Sequence, residues 1–511
     1  MWRSLLILLG LLALTWFEFQ VYPGHTYLFG ETQLLVPMLE RMDTPGFLSR
    51  DLVAANPTFA YTIYDEITEQ LHVEVHLTFE KALQDQQLLF RFAAVLGIFL
   101  LARALHAEAW AALVVSGLVN AVTALTAPHA WLTNPEPTPV AFALSLVLLA
   151  AGLLAHGKPL LASLAAGLAL LYDPMTAAPF WLLLIVIFIF DRSLRRMLRP
   201  VWPILLIFAL LLGNIIQLQS GLGSSDALTS HMDADIIHLT QIRTPWTWVS
   251  HWIGHEIWSY LFLFVAAAAA FTFIPRTDRI TRWVFIGLAS GGFLSAVCAL
   301  FLLARQSQIA VAMPPARNLA STVALSLLVC GAALFQAVKT RQWRVSAFFA
   351  APLLAALINP QVLDLLHRQT ALSPRPNTSE SVATLAAWAE QNTWGSSMFQ
   401  FADTLKQPAP AIFRALSKRP LWADWQSGEI ADYSSEAGLA WWSRWQSCMA
   451  KPFSAATLQA MLPLPIDYYV LHRDHKLVGV KAVYSNATYL VYDAQDLRDE
   501  LSVPSITSIA H

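Results

Sequence analysis

The sequence predicts an α-helical polytopic membrane protein with about eleven transmembrane helices and a small α/β domain at its C-terminus. Three observations lead there. Hydrophobic residues make up 56% of the 511-residue chain and charged residues 13%, with a mean hydropathy of +0.51, a balance foreign to soluble domains. Apolar windows long enough to cross a bilayer recur through residues 1–358, and past residue 359 the composition turns abruptly polar. The formal net charge is −2 and no stretch supplies the large excess of Lys and Arg that a phosphate backbone needs, so nucleic acid is not expected as a partner.

The windows lie near residues 5–22, 88–105, 109–127, 138–156, 159–174, 175–190, 201–219, 257–275, 283–304, 319–338 and 345–358. The first could pass for a signal peptide, but no small-x-small cleavage site follows it, so it reads as an uncleaved span. Between the fifth and sixth windows, Asp173 and Pro174 mark either a tight turn or a broken helix. Basic clusters collect in cytoplasmic loops. Arg192, Arg195, Arg196 and Arg199 form one, Arg276, Arg279 and Arg282 another, and Lys339, Arg341 and Arg344 a third. Eleven spans with a cytoplasmic N-terminus place all three inside, as in a bacterial inner membrane, and leave the loop 23–87 and everything beyond about residue 359 outside. The expected organisation is therefore a transmembrane domain at 1–358, a linker rich in Pro, Ser, Asn and Thr at 359–381, and an extracytoplasmic α/β domain at 382–511. Within the last, Ser397–Phe401, Pro420–Trp425, Asp467–Leu471 and Ala482–Tyr492 read as strands, and Ser379–Gln391 and Ser434–Trp445 as helices. Cys298, Cys330 and Cys448 are too scattered for a disulfide framework or a zinc site.

The first outer loop is long and carries far more acid than a connector needs, with apolar residues at helical spacing opposite its acids, as in an amphipathic interfacial helix. Most of these acids should be solvated. Glu31 and Asp51, which have apolar neighbours, are the candidates for a desolvated carboxylate that acts as a base, with Asp43 as substitute. Other polar residues stand where spans end on the same side: His129, Glu136, Asp173, Arg243, Arg305, Gln308 and Arg317. A charge near the bilayer must face a cavity or snorkel to the surface, and converging arginines would form a phosphate site. His251 and His255 have the i, i+4 spacing of a metal pair but lack a third ligand.

The segments GETQLLVPMLERMDTPGFLSRDLV, NPEPTPVAFALSLVLLAAGLLAHGK, LLYDPMTAAPF, IRTPWTW, PPARNLA and FRALSKRPLWADWQ resemble those of an uncharacterised bacterial family of multi-span proteins. The order of parts resembles the C superfamily of glycosyltransferases (GT-C), which take sugar from a polyprenyl-phosphate carrier. The resemblance implies a GT-C-like fold and sugar transfer from a polyprenyl-phosphate donor to an extracytoplasmic acceptor, with membrane lipid as the surrounding partner. It implies that Glu31 or Asp51, with Asp43 in reserve, draws the acceptor proton. In the mechanism that follows, Arg317, Arg243 and Arg305 face the donor phosphate. His129, Glu136, Asp173 and Gln308 line the pocket. The adjacent acidic pair many members carry after the first span is absent, since Thr32 follows Glu31. No metal ligand is assigned, although outer-loop acids suit a divalent ion such as Mg or Mn. The rival readings are a transporter or flippase of lipid-linked or small solutes, for which no internal symmetry is visible, and a non-enzymatic membrane scaffold.

Overall fold

The computed structural model describes residues 2–57, 62–121, 124–125, 127–128, 130–219, 230–252, 254–275, 277–358 and 377–501. The protein is a multi-pass, mainly helical membrane protein that packs as two compact units. The first unit comprises Met1–Thr26, Tyr61–Leu218 and Thr244–Thr370, and the second Tyr27–Ala60, Gln219–Arg243 and Ala371–His511. The second unit thus takes in two stretches that precede the expected linker.

In chain order the chain first forms α1 (Trp2–Gln20), α2 (Thr32–Asp43), α3 (Tyr64–Val75), α4 (Phe79–Ala104), α5 (Ala109–Ala121), α6 (Pro139–Ala155), α7 (Pro159–Tyr172) and α8 (Pro174–Phe190). There follow α9 (Val201–Gln217), α10 (Ala234–Arg243), α11 (Gly254–Phe273), α12 (Arg279–Ala304), α13 (Leu319–Lys339) and α14 (Trp343–Leu357). Each apolar window of the sequence falls on one of these helices. Among the described residues five stretches are long and apolar enough to cross a membrane: α1, α4, Glu256–Phe273 in α11, α12, and Ile309–Lys339, which contains α13. The apolar helices α5 to α9 and α14 are shorter.

The first unit is held by close helix contacts rather than by hiding every apolar side chain. Leu206, Leu210, Phe293 and Phe301 stay exposed, as hydrocarbon-facing residues do. Where α4 crosses α6, a Cβ on Gly97 would stand 2.5 Å from the Leu148 carbonyl carbon, so only glycine lets the backbones meet. The Asp173–Pro174 step is a turn between two separate helices. Asp173 caps α8 by accepting from the Met175 N–H at 3.2 Å, and Pro174 occupies the first helical position, where its missing N–H costs nothing.

In the second unit the C-terminal stretch forms α15 (Asn377–Asn392), α16 (Ala409–Ser417), α17 (Ser435–Cys448), α18 (Ala455–Met461) and α19 (Ala494–Leu501) around a four-stranded sheet. Two-residue strands β1 (Ala124–Leu125) and β2 (Ala130–Trp131) belong to the first unit. The sheet strands are β3 (Phe399–Phe401), β4 (Tyr468–His472), β5 (Tyr484–Ser485) and β6 (Tyr489–Asp493), in the order β3-β4-β6-β5, with β3 parallel to β4 and the other pairs antiparallel. Phe399, Phe401, Phe413, Val470 and Val491 fill its core. Pro420–Trp425, expected as a strand, makes only a single bridge from Leu421 to Phe399. The Trp422 N–H donates to the Phe399 carbonyl and the Phe399 N–H to that of Pro420, at 2.9 Å each, and the pairing stops there, since the Ala423 N–H donates to the Gln400 side chain.

One buried ion cluster ties the first-loop segment to the C-terminal stretch within this unit. The Arg414 guanidinium lies 3.1 Å from Asp424 and 3.8 Å from Asp51, and it donates to the Gln33 carbonyl at 3.2 Å and to Ser427 Oγ at 2.6 Å. All three charged side chains are at most 1% exposed. Removing the cation would strand two buried carboxylates, so Arg414→Ala should cost about 3–5 kcal/mol. The expected result is a clear fall in the detergent melting temperature and faster proteolysis of the C-terminal stretch. An unaltered melting curve would contradict this role.

Candidate functional site

The first unit gathers buried polar side chains at the helix ends opposite those that carry Arg103, Arg195 and Lys339. Loop carbonyls there need donors, because neither lipid nor a helix ladder supplies them. Arg91 of α4 donates to the carbonyls of Glu18 (2.6 Å), Gly24 (2.8 Å) and Asn134 (2.9 Å), and Gln87 donates to that of Pro135 (2.7 Å). Gln86, one residue earlier, donates to Thr68 of α3 (3.0 Å) and accepts from the Tyr172 hydroxyl at the end of α7 (3.2 Å). The Ile63 N–H completes the junction by donating to the Leu171 carbonyl at 3.1 Å.

Asp65 lies in the first turn of α3 at this junction. It is 1% exposed, and its Oδ1 meets no hydrogen-bond donor. Burial, with the Glu66 carboxyl hydrogen-bonded beside it, pushes its pKa up to about 9, so it holds a proton at neutral pH.

On the other side of Tyr172 stands Asp173. Its carboxylate accepts from Met175 N and Thr176 Oγ1, and Arg317 lies near enough to attract it. Arg317 belongs to the short 3-10 helix Pro315–Asn318 that leads into α13, and it is half-buried. The neighbouring Asn318 amide donates to the Met175 carbonyl at 2.9 Å and to Ser295 Oγ at 3.2 Å, joining α13 to α8 and α12. A Cβ on Gly292 would fall 2.7 Å from the Asn318 carbonyl, which shows how closely α12 approaches here. Below this polar turn an apolar groove of about 750 Å³ runs between α11, α12 and α13, lined by Phe264, Phe271, Phe293, Val297, Thr322 and Leu325 among others. Its lining residue Thr322 follows Asn318 by one helical turn on α13.

The other expected residues are placed as follows. Glu136 and Gln308 are buried in the first unit, and Arg305 is exposed with its guanidinium 5.2 Å over Phe301, the posture of a snorkelling arginine. His129 lies outside the described residues. In the second unit Glu31 is half-buried at the N-cap of α2, and Asp43 is exposed and accepts from Thr44 Oγ1. Asp51 is 1% exposed. Its Oδ1 accepts from the Val53 and Ala54 N–H groups at 3.0 Å each, and its Oδ2 accepts from the Leu421 N–H at 3.0 Å. With Arg414 added, its lone pairs are occupied, which suits an anchor of the loop rather than a base open to an acceptor. Arg243 is likewise enclosed. It lies 4.2 Å over Trp425 and 5.7 Å over Trp441, with Glu429 at 3.9 Å. Burial lowers its pKa, and Glu429, Asp432 and Asp424 act in the opposite direction. Among the described residues no group of three or more His, Cys, Asp or Glu side chains is placed to hold a metal ion.

Sequence reasoning passed over Asp65 and Asn318. Both follow from helix geometry: Tyr64, Asp65 and Thr68 share the buried face of α3, and Asn318 precedes an α13 buried along most of its length. An acid on a buried helical stripe was the signal available for Asp65.

No family model matches the chain, and no curated protein sequence matches it. The structure is similar to a crystal structure of ArnT from Cupriavidus metallidurans in the apo state, with a TM-score of 0.42 and 14% identity, over 96% of this chain and 98% of that one. It is similar to the Archaeoglobus fulgidus oligosaccharyltransferase in complex with Zn and sulfate, with a TM-score of 0.42 and 12% identity, over 92% of this chain and 68% of that one. It is also similar to the mycobacterial arabinofuranosyltransferase AftD, with a TM-score of 0.48 and 12% identity, over 96% of this chain and 40% of that one. Each is a likeness of fold alone, and no residue role follows from it.

The raised pKa of Asp65 has a definite sign in stability. Between its ordinary value of 3.8 and about 9, the unfolded chain releases a proton that the folded chain keeps. The stabilising contribution of neutral Asp65 is therefore complete below about pH 4 and is lost as pH rises through about 9. Wild type should lose up to about 1.4 kcal/mol per pH unit across that window from this group, and Asp65→Asn should lose none of it. Thermal unfolding from pH 5 to 9 reads the difference; parallel profiles for the two proteins would contradict the assignment.

Proposed function

We propose that this protein is a membrane glycosyltransferase that moves a sugar from a polyprenyl-phosphate donor to an acceptor. The observation that carries the reading is the apolar groove between α11, α12 and α13, whose lining residue Thr322 stands one helical turn after Asn318, the neighbour of Arg317 in the chain. A polyprenyl-phosphate joins a long apolar chain to one compact charge, and in the proposed mode the groove takes the chain and Arg317 the charge. Arg317 suits the phosphate because a planar guanidinium offers paired donors to two oxygens, and partial exclusion of water strengthens the attraction as charge grows on the leaving group. Asp173 orients Arg317, and Asn318 holds the turn through the Met175 carbonyl.

The reaction breaks the bond between the sugar's anomeric carbon and the phosphate oxygen, whose electron pair departs with the phosphate. The acceptor oxygen forms the new bond to that carbon, and its proton passes to a carboxylate. Among the first-loop acids assigned from sequence, Glu31 and Asp43 are the ones not fully buried and are proposed for the proton. Asp51 serves by holding the loop. Arg243 and Arg305 are not part of the phosphate role, the first because protein groups enclose it and the second because it lies over Phe301. No step in this proposal passes through a metal.

The test is transfer by the purified protein in lipid nanodiscs, read as release of polyprenyl phosphate. Arg317→Gln should lower kcat/KM about 100-fold or more, whereas Arg305→Gln should leave it nearly unchanged. Glu31→Gln should remove transfer without lowering expression. Ser290→Trp, which fills the groove, should raise KM for a long-chain donor far more than for a short-chain analogue. Solute flux in proteoliposomes with no donor consumed would favour a transporter and defeat the proposal.

A further inference from the structure

The opposite end of the first unit holds a second cavity, of about 380 Å³, where the end of α4, the start of α5, the end of α11 and the end of α13 come together. Its wall is apolar, with Ala111, Ile274, Ala332 and Phe335, and its rim carries charge. Lys339 Nζ lies 2.7 Å from Glu108 Oε1, and the Trp110 indole N–H donates to Glu108 Oε2 at 2.9 Å. Trp110 is itself set edge-on against Phe335, with ring centroids 5.1 Å apart. Both carboxylate oxygens are thereby fixed in direction while each keeps a lone pair. Lys339 pulls the Glu108 pKa down, so the carboxylate is charged at neutral pH.

This ion pair does little for folding, since its side chains are 65% and 54% exposed and an exposed pair contributes little. It sits instead at the basic end of the helices, beside Arg103, Arg341 and an exposed tryptophan, the composition of a membrane interface. A fixed carboxylate and a fixed ammonium at the mouth of an apolar cavity are complementary to a headgroup that carries both charges. A lone anion would be repelled by Glu108, and a lone cation by Lys339.

We propose that this cavity binds an aminophospholipid, with the lipid ammonium donating to Glu108, the phosphate facing Lys339, and the upper part of an acyl chain lying against Phe335 and Ala332. The site is separate from the groove and from Arg317, so it stands or falls independently of the proposed transfer reaction. A primary ammonium is specified over a choline headgroup because only the former has N–H donors for a carboxylate.

The test is native mass spectrometry of the full-length protein equilibrated with equal parts of phosphatidylethanolamine, phosphatidylcholine and phosphatidylglycerol. Wild type should retain phosphatidylethanolamine about tenfold over phosphatidylcholine, the size expected of a hydrogen bond to a charged group. Glu108→Gln should abolish that preference, and Glu108→Asp, which keeps the carboxylate, should preserve most of it. Lys339→Gln should weaken retention of phosphatidylethanolamine and phosphatidylcholine alike. Equal retention of the three lipids by wild type would overturn the proposal, as would a preference that survives Glu108→Gln. Stronger retention of phosphatidylglycerol would mean that phosphate alone is recognised and would overturn the ammonium contact.

Discussion

Hydrocarbon offers a peptide group no hydrogen-bond partner, and that constraint organises the first unit. Along the spans the helices satisfy their own backbones, so polar side chains are left to the helix ends. There they meet a second demand, because the loops between helices carry carbonyls that need donors. Arg91, Gln86, Gln87 and Asn318 all answer it, each donating to a backbone carbonyl or a hydroxyl from a helix or its cap. The same packing brings Asp65, Asp173 and Arg317 to one end of the unit. The residues proposed to meet the donor phosphate therefore stand where the fold already tolerates charge.

The second unit solves a different problem. Its α2 and the segment around Asp51 are far in sequence from the C-terminal stretch, yet they share a core with it. Burying Asp51, Arg414 and Asp424 together is costly unless every group is paired, and the pairing here includes backbone N–H groups on both carboxylates. Such a cluster gains little net stability over apolar packing, but it admits one register, since a shift by a residue would strand a charge. That explains why Asp51, an acid in the first loop, is an anchor, while Glu31, twenty positions earlier, keeps part of its surface.

Three arginines illustrate how environment decides chemistry. Arg243 lies over two indole rings with acids around it, Arg305 lies over a phenyl ring at the surface, and Arg317 stands half-buried near Asp173. A guanidinium is charged in all three places.

Much of the first unit was legible because hydropathy is a local property. Each apolar window became a helix, and the Asp173–Pro174 turn was visible as a cap followed by a proline, although tight turn and broken helix could not be separated without the packing of α7 on α8. In the C-terminal stretch the shorter α16, α18 and α19 were not expected, whereas α15 and α17 were legible. The strand expected at Pro420–Trp425 was not, because whether an apolar run pairs depends on which groups reach it, and the Gln400 side chain reached Ala423 first. The enclosure of Arg243 and the anchoring of Asp51 were likewise invisible, since a charged residue near an apolar stretch reads as solvated until its partners are known. By itself the sequence determined which segments form apolar helices and which acids and arginines lie outside them. Tertiary structure alone decided which of those charges are buried anchors and which keep part of their surface, because Asp51 and its Leu421 partner are 370 residues apart and no local pattern records such a contact.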